Sequence, residues 1–368
     1  MPNHVVSIQF LRFLAAFMVV VHHAQIALVH HDLADDVVSR SARWTDMGAA
    51  GVHIFFVISG FIMVLTTEMT ARGTAAARAF LARRFLRIYP FYILCCVLYL
   101  AIFALVGTPN QLAIPDLLLA LALAPGKSAG IIGPGWTLSY EVYFYACFAA
   151  GLLLTGRRGL LAVTIFFLFC IAVGVISRFE QPWLQVLTNP LLLEFLLGAW
   201  IAVLVLGPDD VPERTIAPLI VISLLLFLSG AAYDASSIPT VVLWGVPSAL
   251  LVLALAAQEI RRGAPRWMSA FTALGDASYA LYLLHVLLLD IALLSIKALG
   301  GTAEHAIAWG AIGVGVSIVG ALTVHEFVER PMLHGLRSRV LPAGNEAVSR
   351  TATDRDAPVL RASERSKA

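Results

Sequence analysis

Long apolar runs recur along the whole chain and are separated by short polar connections. A helix that crosses a membrane needs about 20 mostly apolar residues, and the sequence holds ten runs close to that length. The run at 112–124 is too short to span, so we expect it to be re-entrant or to lie at the membrane interface. The ten predicted spans lie at about 9–29, 51–67, 89–107, 137–155, 159–176, 185–206, 215–232, 240–258, 274–298 and 305–327.

Composition agrees with a bilayer as the solvent. Of the 368 residues, 60% are hydrophobic and 13% are charged, whereas a soluble protein has about half and about a quarter. We therefore predict an all-α polytopic membrane protein. Residues 1–335 would form its transmembrane domain, and the polar residues 336–368 a disordered cytoplasmic tail. The net charge of +2 is too small to indicate a nucleic-acid partner.

The connections between the predicted helices alternate in charge. One set holds eleven basic residues: Arg72, Arg78, Arg83, Arg84, Arg87, Arg157, Arg158, Arg214, Arg261, Arg262 and Arg266. The other set holds five: Arg40, Arg43, Lys127, Arg178 and Lys297. Basic connections favour the cytoplasmic side, so both termini are predicted to be cytoplasmic. An odd number of spans would break this alternation.

Several ionisable side chains fall inside the predicted spans, where a charge is costly and commonly marks function. For any one of them, a structural polar contact between helices is the competing explanation. His23 follows Arg12 by eleven residues, or about 16 Å of helix, and both are expected to face the interior of the bundle. The others are His22, Glu141, Glu194, His285, His325 and Glu326.

Arginines cluster just before the predicted third span, in the segment 80–92, which ends in an aromatic stretch that contains Pro90. Guanidinium groups pair with phosphates in a bidentate manner. The preference of basic residues for the cytoplasmic side explains some of these arginines. A phosphorylated ligand would also suit them, and their spacing does not separate coenzyme A from a phosphoinositide or an anionic lipid.

A second chemical segment, 133–145, enters the predicted fourth span from the outer side. Thr137 and Glu141 share a helix face there, being four residues apart. The tryptophan and tyrosines around them are typical of an aromatic belt at the membrane interface. They would equally suit a carbohydrate that stacks on the rings while Glu141 accepts its hydroxyls. Four cysteines lie in apolar runs without metal-binding spacing, so we expect neither disulfide nor metal site: Cys95, Cys96, Cys147 and Cys170.

Six segments in the same order and spacing resemble the membrane acyltransferase-3 family, especially its stand-alone exopolysaccharide O-acetyltransferases. The resemblance covers about residues 7 to 333. It departs at His53, where the family more often has Asp. The segments are Arg-x10-His in LRFLAAFMVVVHHA (11–24), GVHIFFVISGF (51–61), RRFLRIYPFY (83–92), GWTLSYEVYFY (135–145), LGDASYALYLLH (274–285) and the closing Glu-Arg-Pro (329–331).

The resemblance implies a transferase of a bacterial inner membrane that moves an acyl group, acetyl by expectation, from acyl-CoA to a hydroxyl of a cell-surface or secreted glycan or its lipid-linked precursor. No tightly bound cofactor is implied, and acetyl-CoA is the donor substrate. The implied catalytic residues are His23 and Glu141. Those for the donor are Arg12, Arg83, Arg84, Arg87 and Tyr92, and those for the acceptor are Trp136, Ser139, Tyr279 and His285.

Acyl transfer to an alcohol needs a base that removes the hydroxyl proton. His23 would serve as this base, or would itself become acylated and pass the group on. The competing class of protein is a secondary transporter or flippase for a glycan or glycolipid. Such proteins often contain two similar halves, and residues 1–180 and 181–340 show no convincing repeat.

Overall fold

The structure is a computed structural model that describes residues 5–41, 44–45, 47–67, 72–107, 112–154, 157–207, 211–232 and 238–340. Within these ranges every regular element is a helix. The longer helices are α1 (Val6–His30), α2 (Ala50–Thr67), α3 (Thr74–Leu105), α4 (Trp136–Gly151), α5 (Arg158–Ser177), α6 (Leu192–Val205), α7 (Glu213–Ala232), α8 (Val246–Arg262), α9 (Ser278–Ala298), α10 (Ala306–Val324) and α11 (Arg330–Val340).

The predicted all-α membrane fold is confirmed. Among the described residues, nine helical segments are long and apolar enough to cross a membrane. The predicted fourth span corresponds to α4, whose 16 residues make about 24 Å of helix. That is somewhat less than a hydrocarbon core of about 30 Å. The chain is therefore a multi-pass membrane protein.

Helix α1 lies at the centre of the bundle, where it packs against α2, α8, α9 and α10. Its close contact with α2 depends on a glycine, which has no side chain. A Cβ atom placed on Gly51 would lie 2.2 Å from the carbonyl oxygen of Ala15. In a bilayer, small residues of this kind let helix backbones approach closely. The site described below is built mostly from α1 and the helices around it.

Helices α2 and α6 approach even more closely through two glycines. A Cβ atom on Gly60 would lie 1.9 Å from the carbonyl oxygen of Phe195, and one on Gly198 would lie 1.8 Å from that of Val57. Helices on the outside of the bundle instead expose apolar side chains, for example Phe169 at 66%. Such outward faces suit contact with lipid, where there is no water to satisfy polar groups.

Helix α3 differs most from its prediction. It begins at Thr74, fifteen residues before the predicted start at 89, and contains Pro90 in its interior. The arginine segment is therefore an N-terminal extension of this helix rather than a loop. Arginine is a good helix former although it is polar. Hydropathy therefore placed the start of this helix too late in the chain.

Two peripheral segments complete the described chain. The short run predicted at 112–124 contains an eight-residue helix, Ile114–Leu121. Helix α11 continues to Val340, past the predicted domain boundary at 335. The remainder of the predicted tail, 341–368, lies outside the described residues.

Candidate active site

A cavity of about 750 Å³ opens among α1, α2, α3, α4, α9 and α11. This is within the usual size range for ligand sites, about 300–1,000 Å³. We call it the arginine cavity because six arginines line it, against two acidic residues. The arginines are Arg12, Arg83, Arg84, Arg87, Arg330 and Arg337, and the acidic residues are Glu141 and Asp276.

The arginine cavity is long. Its lining residues on α2 run from Thr66, in the last turn, to Val52, in the first. Those fourteen steps correspond to about 21 Å of helix. The mouth lies where α2 ends and α1 begins, since Val5 also lines the cavity.

Arg84 is held at the mouth by contacts that leave one of its hydrogen-bond donors without a partner among the described residues. Its Nη2 donates a hydrogen bond of 2.9 Å to Thr66 Oγ1. The guanidinium carbon lies 5.4 Å from the ring centre of Phe80 and 5.7 Å from that of Tyr145. Its buried Nε atom has no hydrogen-bond partner in the described part of the chain. Aromatic faces hold a cation in place, so Arg84 is oriented in advance of any anion.

Arg87 takes part in a three-residue network. Its Nη1 donates to Glu329 Oε1 at 2.8 Å, and Glu329 is fully buried. The second oxygen of Glu329 accepts a hydrogen bond of 2.7 Å from His325 Nδ1. His325 and Glu329 begin and end a π-helical turn between α10 and α11, a local geometry that often occurs at functional sites. The network ties α3 to the start of α11.

Glu141 lies in the wall of the arginine cavity. Its Oε1 accepts a 3.0 Å hydrogen bond from Ser59 Oγ and another from the hydroxyl of Tyr145. Thr137, four residues earlier, lines the same cavity, so the predicted shared face of α4 is confirmed. The sequence placed Glu141 with Trp136 toward the outer side, whereas the structure places it beside the arginines. Five residues along a helix turn a side chain by about 140°, which separates the two.

Arg12 shares this wall. Its Nη1 donates a hydrogen bond of 3.1 Å to Gln9 Oε1. The charges near enough to act on it include Arg87, Asp276 and Glu141. Arg12 is thus a further cation between the mouth and the inner end of the cavity.

The inner end of the cavity carries two hydroxyls that hold each other. The hydroxyls of Tyr282 and Thr137 are joined by a 2.9 Å hydrogen bond, and each lies 3.1 Å from the carbonyl oxygen of Pro134. Because each hydroxyl has one hydrogen, one of them donates to the other and the second donates to Pro134. The ring of Phe55 lies edge-on to Tyr282, with centroids 5.6 Å apart. These contacts connect α4 to α9 at the deep end.

His23 and His285 lie behind this end and do not line the cavity. The ring centroid of His285 is 6.0 Å from that of Tyr282 and 4.8 Å from that of His23. His23 Nδ1 is 2.9 Å from the carbonyl oxygen of Val19. Because a carbonyl oxygen only accepts, Nδ1 carries the hydrogen, and the lone pair of the neutral ring is on Nε2. His23 is therefore oriented as a base or a nucleophile.

His285 has the same arrangement. Its Nδ1 donates to the carbonyl oxygen of Leu281 at 3.1 Å. Its Nε2 is buried and has no hydrogen-bond partner among the described residues. His22, by contrast, uses its Nδ1 to bind the carbonyl oxygen of Thr45 at 3.0 Å. Neighbouring histidines of α1 thus differ: His22 is tied to the segment after α1, and His23 faces α9.

The other predicted site residues separate into two groups. Tyr279 lines the arginine cavity and stacks with Arg87 at 5.2 Å. Tyr92 and Ser139 do not line the cavity. Tyr92 donates a hydrogen bond of 2.9 Å to the carbonyl oxygen of Ala120, and Ser139 donates one of 2.9 Å to the carbonyl oxygen of Leu123. Both hydroxyls hold the connection between α3 and α4. Trp136 also lies outside the cavity, at the start of α4, and is 39% exposed.

The cavity residues that sequence reasoning missed include Ser59, Tyr282 and Arg337. Ser59 and Tyr282 lie in segments that the family resemblance had already marked, but nothing separated them from their neighbours. Arg337 lay in the part assigned to the tail, and its contacts are distant in sequence.

The unusual His53 also has a partner that the sequence did not indicate. His53 Nδ1 is 2.5 Å from Glu194 Oε1, and both residues are buried. Glu194 Oε2 has no partner in the described chain. This pair links α2 to α6 away from the arginine cavity. Glu194, one of the ionisable residues predicted inside spans, is thereby accounted for as part of a contact between helices.

A long cavity lined by six arginines lies inside a multi-pass helical bundle, with an oriented histidine behind its inner end, and is the candidate site of a membrane enzyme. The model of the acyltransferase-3 family, described as "Acyltransferase domain", matches residues 5–326. The chain therefore belongs to this family, and it is a membrane acyltransferase.

Two curated relatives are similar over most of their length. The exopolysaccharide production protein ExoZ of Rhizobium meliloti (strain 1021) is 33% identical over 310 residues, which cover 81% of this chain and 93% of the relative. The acyltransferase MdmB of Streptomyces mycarofaciens is 28% identical over 387 residues, which cover 92% and 95%. No solved structure gives a significant match to the chain.

Proposed function

We propose that this acyltransferase moves an acetyl group from acetyl-CoA to a hydroxyl of a secreted or cell-surface glycan, or of its lipid-linked precursor. The observation that carries the proposal is the arginine cavity: a cationic mouth continues inward for about 21 Å toward His285 and His23. Coenzyme A has the matching form, with phosphates at one end and the thioester at the end of a long, narrow arm.

In this proposal the arginines hold the donor's phosphates. Arg84 and Arg87 present guanidinium groups supported by aromatic rings, and such groups bind phosphate oxygens by charge-assisted hydrogen bonds. The mouth lies on the side where α1 begins. The charges of the connecting loops favour that side as cytoplasmic, and acyl-CoA is made in the cytoplasm. A bacterial inner membrane is the location that this account implies.

His23 does the chemistry in one of two ways. As a base, Nε2 takes the proton of the acceptor hydroxyl while the oxygen of that hydroxyl attacks the thioester carbonyl. The C–S bond then breaks, and the thiolate of coenzyme A takes the proton back from the imidazolium. Alternatively, Nε2 attacks the thioester carbonyl first, the C–S bond breaks and the thiolate of coenzyme A leaves. The acceptor hydroxyl then takes the acyl group from the ring, the N–C bond breaks, and the hydroxyl proton passes to the thiolate. His285, in contact with the His23 ring, keeps that ring in position.

The acceptor would approach from the opposite end of the bundle. Trp136 offers a partly exposed indole at the start of α4 and lies edge-on to Tyr140, with centroids 5.8 Å apart. Aromatic faces of this kind suit a sugar ring. The name of the first relative, an exopolysaccharide production protein, supports a polysaccharide as the acceptor class.

The test is acceptor-dependent release of free coenzyme A by purified protein. Acetyl-CoA and oligosaccharides from the host's own exopolysaccharide should together give coenzyme A and acetylated sugar in equal amounts. The His23→Ala variant serves as the matched blank. NMR of surface and secreted polysaccharides from a deletion strain would identify the acceptor position. Movement of intact glycan without thioester consumption would refute the proposal in favour of a transporter.

A further inference from the structure

Helix α11 presents one face to the arginine cavity. The lining residues Arg330, Leu333, His334 and Arg337 follow the spacing i, i+3, i+4, i+7, which places them on one side of a helix. The family match ends at residue 326, before any of these four. Part of the cavity wall is therefore made by a segment that the family match does not cover.

Helix α11 is held firmly at its first turn. Glu329, directly before it, is fully buried and bonded to Arg87 and His325. Leu333 is 6% exposed and anchors the next turn. A helix fixed in this way carries Arg337 to a defined place, because seven residues beyond Arg330 correspond to about 10 Å along its axis.

Arg337 adds to a positive cluster that is only partly balanced. The charges that act on it most are those of Arg87 and Arg84, with Glu329 acting in the opposite sense. Glu329 is already paired with Arg87. No carboxylate in the described ranges forms an ion pair with Arg337. Like charges gathered in one cleft repel each other unless an anion joins them, so the cluster indicates a ligand with more than one anionic group.

We propose that α11 completes the donor site, with Arg337 and His334 binding the phosphomonoester on the ribose of coenzyme A. The proposal rests on the function proposed above. The thioester must lie at the deep end, near His285, so the nucleotide lies at the mouth, where Arg337 is exposed. Arg84, held by Thr66 at the same mouth, is then placed for the pyrophosphate. A phosphomonoester dianion suits a guanidinium with no carboxylate partner.

The experiment compares acetyl-CoA with 3′-dephospho-acetyl-CoA, which lacks only this phosphate. We expect wild-type protein to prefer acetyl-CoA by about tenfold or more in kcat/KM, the size of one charge-assisted contact. Arg337→Gln should remove most of that preference by weakening acetyl-CoA alone. The matched control is Arg339→Gln, on the same helix, exposed and outside the cavity lining; it should keep the preference.

Binding provides a second readout that does not need turnover. The probe is adenosine 3′,5′-bisphosphate, with adenosine 5′-diphosphate as the reference, titrated into purified protein. Arg337→Gln should weaken the first about tenfold and leave the second unchanged. Equal use of both donors by wild-type protein, or an equal loss for both in Arg337→Gln, would overturn the assignment.

Anionic lipid headgroups offer the same chemistry from another source. Activity is therefore measured in vesicles with and without an anionic phospholipid. If the effect of Arg337→Gln follows the lipid and not the 3′-phosphate, Arg337 binds the membrane surface and the inference is wrong. If wild-type protein consumes no acyl-CoA under any condition, the proposed function fails together with this inference, and that outcome is distinct from the others.

Discussion

The imidazole rings of His23 and His285 lie with their centroids 4.8 Å apart and their planes at 73°, although the residues are 262 positions apart in the chain. Both rings are fixed by a hydrogen bond from Nδ1 to the carbonyl oxygen four residues earlier. Two neutral rings with lone pairs on Nε2 therefore meet between α1 and α9. Helix α9 therefore contributes a direct neighbour, His285, to the residue on α1 that the sequence predicts as catalytic.

His23→Ala should lower acyl transfer at least about a hundredfold, since a positioned base contributes that much or more. His22→Ala should retain most activity, because His22 contacts the segment after α1. The measurement is coenzyme A release per milligram of correctly inserted protein. An equal loss in both variants, or no loss in either, would contradict the assignment.

His285→Asn should lower kcat by about tenfold or more while leaving the KM for acetyl-CoA nearly unchanged. The asparagine amide can still donate to the carbonyl oxygen of Leu281, so the helix contact is preserved and the ring contact with His23 is lost. Steady-state kinetics with both substrates varied separate the two parameters. A change confined to KM would show that His285 binds donor or acceptor and does not position His23.

Arg84→Gln should raise the KM for acetyl-CoA about tenfold, because one charge-assisted contact to phosphate is lost. Arg78→Gln is the matched control: Arg78 lies on the same helix, is exposed and is not part of the cavity. Tags in the adjoining loops report orientation in the membrane for both variants. An unchanged KM in a correctly inserted Arg84 variant would leave the arginine with a topological role only.

Gly198→Ala should destabilise the bundle, since its Cβ atom would lie 1.8 Å from the carbonyl oxygen of Val57. Overpacking of this kind costs about 1–3 kcal/mol or more. Gly315→Ala is the control, because a Cβ atom there would meet nothing within 4 Å. Thermal unfolding in detergent, followed by size-exclusion chromatography, compares the two. If both variants melt like the wild type, the close contact of α2 with α6 is not important for stability.

The helices of this protein could be predicted from sequence because each buries or exposes a continuous apolar run. Prediction worked less well where helices are polar. Helix α3 continues through an arginine segment that hydropathy excludes, and the last five residues of α11 were assigned to a tail. In both cases the helix is stabilised by contacts to other elements, such as the pair of Arg87 with Glu329.

The site was predictable in its parts and not in its arrangement. Four of the six cavity arginines and Glu141 were predicted as site residues, but their meeting in one cavity depends on how α1, α3, α4 and α9 are rotated about their axes. Hydropathy does not fix that rotation. The pairing of His23 with His285 and that of His53 with Glu194 are contacts between distant segments, for which a single sequence carries no signal.

In the proposed mechanism the donor enters at one end of the bundle and the acceptor at the opposite end. The mouth of the arginine cavity is on the side where α1 begins, and Trp136 begins α4 at the other end. Purified protein in liposomes allows each substrate to be confined to one side. The orientation of the protein is established first, by protease access to a tag at the N-terminus.

The decisive measurement supplies radiolabelled acetyl-CoA only on the arginine side and the glycan only on the other. The account predicts labelled glycan on the far side and free coenzyme A on the side where the donor was added. Labelled glycan only when both substrates share one side would retain the acyltransferase and reject transfer across the membrane. Glycan transport with no release of coenzyme A would contradict the account altogether.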